Sequence, residues 1–436
     1  MKFIDLFAGL GGFHQALASF DAECVFASEI NPGLSDLYEK NFGIKPRGDI
    51  RDVDVQDIPV HQILCAGFPC QPFSKAGNQR GLQCPQWGDL IEFIFRILDV
   101  RKPRYFIIEN VPNLMCHSNG ATWELICDRL RILGYDISFE KLSPHIFGVP
   151  QKRERAFIVG DREGLKGFAW PRPATLPELS ISSILDDNPP DALRLNENHE
   201  RYLTVWQEFI QAFPKDIDLP SFPVWAMEFG ANYPLKGPSP YKQRYKGLGS
   251  YRGAFGVALN GMSSSQVEAS LPNYARTKLD EFPAWKVNFI EKNRNFYMER
   301  KELIDSWIYK IKSFPPSFQK LEWNIKGGER DIWQHVIQFR ASGIRVKRMD
   351  VAPSLIAMTT SQVPIIAWQK RYMTPRECSR LQSMDKLKYL RDTKDCAYKA
   401  FGNAVNVEVV KQIVDALVVS RARAKERTLS VAVAIG

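Results

Sequence analysis

The chain has eight cysteines, at positions 24, 65, 70, 84, 116, 127, 378 and 396, but no C-x-x-C pair and no cysteine between residues 128 and 377. That spacing fits neither a zinc site nor a disulfide framework, so no metal is expected. No apolar run reaches the roughly 18 residues that crossing a bilayer takes, and the Met-Lys-Phe-Ile-Asp start, acidic at residue 5, is not laid out as a signal peptide. These absences give the expectation of a soluble intracellular protein with no membrane partner. Internal repeats are missing too.

What remains is ordinary globular material. The 436 residues are 44% hydrophobic and 25% charged, enough for one large domain and a smaller one. The 58 Lys and Arg exceed the 49 Asp and Glu, giving a net charge of +9 and a pI near 9.0, a balance that favours a polyanionic partner.

Over the first 160 residues short apolar runs alternate with amphipathic stretches. Strands are expected at 2–7, 23–28, 62–66, 105–109, 135–142 and 155–160, with helices at 13–20, 32–41 and 90–99. Strand and helix in alternation predict an α/β fold, a parallel sheet covered on both faces. From about residue 165 the texture changes to Pro, Tyr and Trp without clear alternation. Eight of the ten tryptophans lie between 170 and 368, interleaved with basic clusters such as Tyr241-Lys-Gln-Arg-Tyr-Lys246 and Arg345-Val-Lys-Arg348. Such mixtures suit phosphate contact with base or sugar packing, and equally a solvated face over an aromatic core. Regular alternation returns near Thr374, with helices expected at 375–382 and 405–418.

Four stretches carry chemistry. In Phe3-Ile-Asp-Leu-Phe-Ala-Gly-Leu-Gly-Gly-Phe13 a strand stops in glycines and opens a helix, offering a tight turn and free N–H groups to a nucleotide-like cofactor. A dinucleotide fingerprint counted from Gly9 fails, because its third glycine would be His14. Glu29, at the end of the second strand, stands where an acid accepts hydrogen bonds from ribose hydroxyls, and Asp49 is a candidate contact to adenine. S-adenosylmethionine, an adenosine without phosphate, fits these parts better than NAD. In Ile63-Leu-Cys-Ala-Gly-Phe-Pro-Cys-Gln-Pro-Phe-Ser74 the prolines at 69 and 72 restrict φ on either side of Cys70, holding a thiol at the end of a strand. In Tyr105-Phe-Ile-Ile-Glu-Asn-Val-Pro112 a strand delivers Glu109 at its carboxyl end, so glycine turn, thiol and carboxyl should share one crevice. In Gln151-Lys-Arg-Glu-Arg155 alternation puts Arg153 and Arg155 on one side, two cations able to hold a base edge.

Together these residues closely resemble the cytosine-5 DNA methyltransferase family, of the prokaryotic modification type. The resemblance rests on F-A-G-L-G-G at 7–12, G-F-P-C-Q at 67–71, E-N-V at 109–111, Q-K-R-E-R at 151–155, R-E-C-S-R-L-Q at 376–382 and F-G-N-A-V at 401–405. It implies a Rossmann-like methyltransferase sheet at 1–165, an inserted target-recognition domain at 166–397, a helix at 398–425 returning to the catalytic domain, and a tail at 426–436. It further implies Phe7, Gly9, Leu10, Gly11, Glu29, Ile30, Asp49, Ile50, Pro69, Leu90 and Asn403 around S-adenosylmethionine, which leaves as S-adenosylhomocysteine. Gln71, Ser74, Arg345, Lys347 and Arg348 are the expected DNA contacts. The chain departs from the family in reading Cys84-Pro-Gln-Trp-Gly88 where an acid and Arg-Gly are usual, Ser354-Leu355 for Thr-Leu, and Ser383-Met-Asp385 for Gly-Phe-Pro.

The implied chemistry is attack of the Cys70 thiolate on carbon 6 of a flipped-out cytosine, with Glu109 at ring nitrogen 3, Arg155 at the carbonyl oxygen and Arg153 in support. The implied partner is double-stranded DNA, with the protein a monomer in a prokaryotic cytoplasm and a cognate restriction endonuclease as a candidate companion. The competing readings are a tRNA cytosine-5 methyltransferase, a catalytically silent DNA-binding relative and a nicotinamide-dependent oxidoreductase.

Overall fold

The computed structural model describes residues 1–69, 88–355 and 362–422. Cys70, Gln71 and Ser74, with the chain that follows as far as Trp87, lie outside the described residues, as does the tail. Two compact units are formed, one from residues 1–187, 350–360 and 374–436, the other from 188–349 and 361–373. Among the described residues no helix is long and apolar enough to cross a membrane.

The first unit is built on a six-stranded sheet. Its strands are β1 (Lys2–Leu6), β2 (Glu23–Ser28), β3 (Ile63–Ala66), β4 (Tyr105–Asn110), β5 (Asp136–Leu142) and β7 (Arg155–Asp161), in the order β2-β1-β3-β4-β7-β5. The first four run parallel and β7 is antiparallel to both β4 and β5. The reason is legible in composition: β3 and β4 are buried at every position, as strands covered on both faces must be, whereas the edge strand β5 is only partly buried along most of its length. Helices α1 (Gly12–Ala18), α2 (Pro32–Phe42), α3 (Gly88–Arg101) and α4 (Ala121–Ile132) accompany the strands. Along α3, Leu90, Ile91, Ile94, Phe95, Ile97 and Leu98 are buried and join Leu64, Ala66, Phe106 and Ile108 of the sheet in one core. From β1 the chain crosses to β2 on one side, and β3 lies on the other, so a crevice opens at their carboxyl ends.

The distant C-terminal motifs return to this unit. Thr374 caps α9 (Pro375–Leu381) in a reciprocal box with Glu377, whose other oxygen accepts the Asp186 N–H at 2.9 Å. Gln382 donates to the Phe401 carbonyl at the end of α10 (Lys394–Asn403), and Asn406, the cap of α11 (Val407–Val414), donates to the Leu381 carbonyl. Residues 374–397, expected from the resemblance to lie within the inserted domain, group with the first compact unit, in keeping with the return of regular alternation near Thr374. The inserted unit itself starts at Asn188 rather than 166. The physical cause is the capping box and this ladder of side-chain to backbone bonds, none of which shows as hydrophobic periodicity. A short strand β6 (Gln151–Lys152) pairs in parallel with β12 (Ala352–Pro353), bringing residues 350–355 to the same unit.

The second unit holds a sheet of β8 (Val224–Trp225), β9 (Lys320–Asn324), β10 (Val336–Arg340), β11 (Gly343–Lys347), β13 (Ile365–Ile366) and β14 (Arg371–Tyr372), in the order β14-β13-β10-β11-β9-β8. Its helices are α5 (Glu197–Ala212), α6 (Ser264–Ser270), α7 (Ala284–Glu299) and α8 (Lys301–Asp305). Many of its aromatic residues are core: Trp206, Phe209, Tyr233 and Trp307 are buried, and the Trp206 and Trp307 rings lie 5.0 Å apart.

Gly12, the first residue of α1, is where the returning chain touches the glycine turn. A Cβ there would fall 2.5 Å from Val405 Cγ1 and 2.7 Å from the Val405 carbonyl oxygen. Because backbone cannot step aside as a side chain can, Gly12→Ala is expected to destabilise the protein by about 1–3 kcal/mol. A shift of the urea midpoint at unchanged slope checks it.

Candidate active site

The β1–α1 turn is made by left-handed residues: φ is +57° at Phe7, +54° at Gly9 and +72° at Gly11. Its amides are held from the end of β2. The Gly9 N–H donates to Glu29 Oε2 at 2.9 Å and the Asn31 N–H to Oε1 at 2.8 Å, so one carboxylate fixes the glycine turn and the start of α2 together. Burial pushes the Glu29 carboxyl above the ordinary carboxylate range, with the two N–H bonds opposing. Each oxygen has a second acceptor position for a ligand hydroxyl. His14, the residue that breaks the dinucleotide pattern, turns inward: Nδ1 lies 2.7 Å from the Tyr38 hydroxyl and the ring stacks on Phe42. Burial lowers its pKa to about 4, so it is neutral.

A cavity of about 630 Å³ opens at the carboxyl ends of these strands. Of the residues expected around a cofactor, Phe7, Gly9, Leu10, Glu29, Ile30, Asp49, Ile50, Pro69, Leu90 and Asn403 line it. Gly11 does not; a Cβ there would meet the Phe42 ring at 2.3 Å, so this glycine serves packing behind the turn. Asp49 caps the turn at 50–52 and both its oxygens are engaged by the Arg51 side chain, which holds the carboxyl below its usual range. Sequence reasoning missed Asn31, Arg51, Arg391, Cys396 and Lys399, which also line the cavity. A larger cavity of about 1150 Å³ elsewhere on this unit, lined by residues such as Phe147, Arg172 and Gln412, contains none of the motif residues.

Glu109, Arg153 and Arg155 line the same cavity. Glu109 is 8% exposed, and its Oε1 lies 3.0 Å from Arg155 Nε. Its Oε2 faces Gly67, where a Cβ would sit 3.6 Å away. Burial raises the Glu109 carboxyl above its ordinary value, opposed first by Arg155 and then by Arg153. The neighbouring Asn110 donates to the Phe68 carbonyl at 3.0 Å, tethering the end of β3 two residues before Cys70. The two arginines divide the work. Arg155 meets the carboxylate, while the buried Arg153 donates to the carbonyls of Leu355, Gly402 and Ala404 at 3.0, 2.9 and 3.0 Å. Arg153 thereby holds both sides of Asn403, which is exposed into the cavity.

In the second unit, Arg345 and Lys347 lie on β11 and Arg348 just past it. Arg345 pairs with Glu322 of β9 at 2.6 Å and Arg348 donates to the Lys326 carbonyl.

With an acid at the end of β2, a carboxyl–arginine pair at the end of β4 and the glycine turn around one cavity, the comparison with known proteins has a structural counterpart. The sequence model of the C-5 cytosine-specific DNA methylases matches residues 1–419. The chain belongs to that family. It is 32% identical to the type II methyltransferase M.AluI of Cellulosimicrobium cellulans, across 94% of this chain and 91% of the relative. It is 40% identical to the type II methyltransferase M.HhaI of Haemophilus parahaemolyticus, across 50% of this chain and 67% of the relative. A solved structure assigned as a DNA modification methyltransferase encoded within an E. coli prophage covers 96% of this chain and 98% of its own with a TM-score of 0.52; at 17% identity, that is a likeness of fold. As a C-5 cytosine-specific methylase the chain moves a methyl group from a methyl donor to carbon 5 of cytosine in DNA, on the mixed α/β sheet of the methyltransferase fold.

Removing the Arg153 guanidinium leaves three buried carbonyls short of a donor. Arg153→Ala is expected to cost about 2–4 kcal/mol, since each unsatisfied buried acceptor carries its desolvation penalty. Denaturant unfolding would measure it, together with faster proteolysis at residues 398–405.

Proposed function

We propose that the chain is a sequence-specific DNA (cytosine-5) methyltransferase whose donor is S-adenosylmethionine and whose nucleophile is Cys70. The reading is supported above all by one arrangement: the buried Glu109 carboxyl, paired with Arg155, shares a cavity with Glu29 and with Pro69, the residue before Cys70. The cavity suits an adenosine-containing donor. It has an acid anchored by backbone amides for ribose hydroxyls, the apolar side chains Ile30, Ile50 and Leu90 for a flat ring, and a volume within the usual range for such ligands. When bound, the donor supplies an electrophilic methyl group on a sulfonium.

The chain's residues make cytosine able to receive it. The Cys70 thiolate adds to carbon 6, forming the sulfur–carbon bond and sending the ring electrons toward carbon 5. Glu109, whose carboxyl burial raises against the opposing arginines, is assigned to share a proton with nitrogen 3 as that atom gains charge, and Arg155 both orients Glu109 and supports the carbonyl oxygen. Arg153 acts at one remove, holding Asn403 beside the donor. Once carbon 5 carries the methyl group, a base, with water as a candidate, removes the proton there, the electron pair re-forms the ring double bond and the thiolate leaves. The base must come out of the duplex for this, at a few kcal/mol of lost stacking.

The second unit and the basic residues Arg345, Lys347 and Arg348, with Gln71 and Ser74 of the first unit, are assigned to the DNA. The setting that fits the type II relatives is modification of a prokaryotic genome in the cytoplasm by a monomer, alongside a restriction endonuclease of the same specificity that forms no stable complex with it.

Cys70→Ala is expected to abolish tritium transfer from labelled donor to duplex DNA while S-adenosylhomocysteine binding persists, and total tRNA should be no substrate for the wild type. Duplex DNA carrying 5-fluorocytosine should trap a denaturant-resistant adduct with the wild type and none with Cys70→Ala. Wild-type turnover by the variant would falsify the assignment.

A further inference from the structure

Arg391 lies outside every motif described above, yet it lines the donor cavity. It sits between α9 and α10, far along the chain from α2, and the two are clamped together. Asn41 of α2 donates through Nδ2 to the Tyr389 carbonyl at 3.1 Å and accepts the Tyr389 N–H through Oδ1 at 3.1 Å. That two-way bond sets the backbone two residues before Arg391. The side chain then lies across the start of α2. A Cβ on Gly33 would fall 1.9 Å from Arg391 Nη1 and 2.7 Å from its Cζ, so the guanidinium occupies the space that any other residue at 33 would fill. Glycine is a poor helix former, and at the second position of α2 it is there for the neighbour. Cys396, on the first turn of α10, lines the same cavity.

Gly33 follows Glu29, Ile30 and Asn31, the stretch that faces the ribose and base of an adenosine-containing donor. Ile30 is a large apolar side chain left 63% exposed where it lines the cavity. A guanidinium plane and an apolar face are both good partners for a flat aromatic ring. Resting on the reading of the donor as S-adenosylmethionine, we infer that Arg391 is a donor-binding residue of the adenosine end, covering the nucleoside with its guanidinium laid across Gly33. The glycine and the arginine, 358 positions apart in sequence, form one device.

The test uses the full chain and equilibrium binding by calorimetry, with S-adenosylhomocysteine and with 5′-methylthioadenosine, which keeps the nucleoside and lacks the amino-acid carboxylate. Arg391→Gln should weaken both ligands by the same factor, about 5- to 25-fold, the scale of a desolvated cation–ring contact. Arg391→Lys, which keeps the charge and loses the plane, should weaken both nearly as much. Gly33→Ala should also weaken both, because its methyl group displaces the guanidinium, and it should add nothing in the Gly33→Ala/Arg391→Gln double variant. Unchanged affinity in Arg391→Gln would overturn the inference, as would a loss confined to S-adenosylhomocysteine, which marks a carboxylate contact. A Gly33→Ala effect that persists undiminished without Arg391 would break the coupling. If the wild type bound neither ligand, the donor reading itself would fall and the inference with it.

Discussion

The first unit depends on one buried guanidinium. Arg153 is 2% exposed, and its guanidinium donates to the backbone carbonyls at 355, 402 and 404 and to the Ser354 hydroxyl. Segments some 200 to 250 residues apart in the chain are thereby fixed at the joint between β6 and β7. A lysine could not do this, because the fork of donors in one plane is what lets a single side chain serve several acceptors. Next to these residues Val405 lies against Gly12 of the glycine turn, so the arginine and that close approach hold adjacent stretches of the returning chain. The cavity wall at Asn403 is therefore a consequence of an arginine two residues before Arg155, the one that meets the Glu109 carboxyl.

That neighbourhood explains how one motif can serve both fold and chemistry. Glu109 and Glu29 each sit at the carboxyl end of a parallel strand, and burial lifts both above the ordinary carboxylate range. Their partners differ. Glu29 accepts two backbone N–H bonds and is held rigidly, which suits a residue that only binds. Glu109 meets an arginine side chain, with its other oxygen turned to Gly67, which suits a residue whose proton must be shared with something that arrives. In both cases desolvation outweighs the favourable contacts, so each carboxyl is raised relative to an exposed glutamate.

The sheet was legible because its strands are short apolar runs bounded by glycine and polar turns: β1 to β4 and β7 fall within a residue or two of the expected limits, and so do α2 and α3. The cavity lining was legible where a motif sits at a strand end, since topology alone brings the carboxyl ends of β1 to β4 together. What could not be read was anything made by long-range side-chain to backbone bonding. The Glu377–Asp186 bond, the Asn41–Tyr389 clamp and the Arg153 staple have no periodicity, and so 166–187 and 374–397 were expected in the inserted segment and Arg391, Cys396 and Lys399 were passed over. Gly33 falls inside the helix expected at 32–41, and nothing in the sequence ties it to a residue 358 positions away.

The second unit shows why a surplus of positive charge is a weak guide to a nucleic-acid face. Arg345 is matched by Glu322 on the adjacent strand, Arg330 spends its donors on the carbonyls of Phe213, Pro214, Lys215 and Ile217, and Arg294 joins the buried Glu228 beneath Tyr233. Arg330 and Arg294 are held by the unit's own loops, and a phosphate at Arg345 would have to share it with Glu322. Side chains outside such pairs are free of that competition, among them Trp285, which is 58% exposed. A recognition surface of that kind would be set by loop backbone more than by charge count, and that is consistent with how little of it the sequence alone revealed.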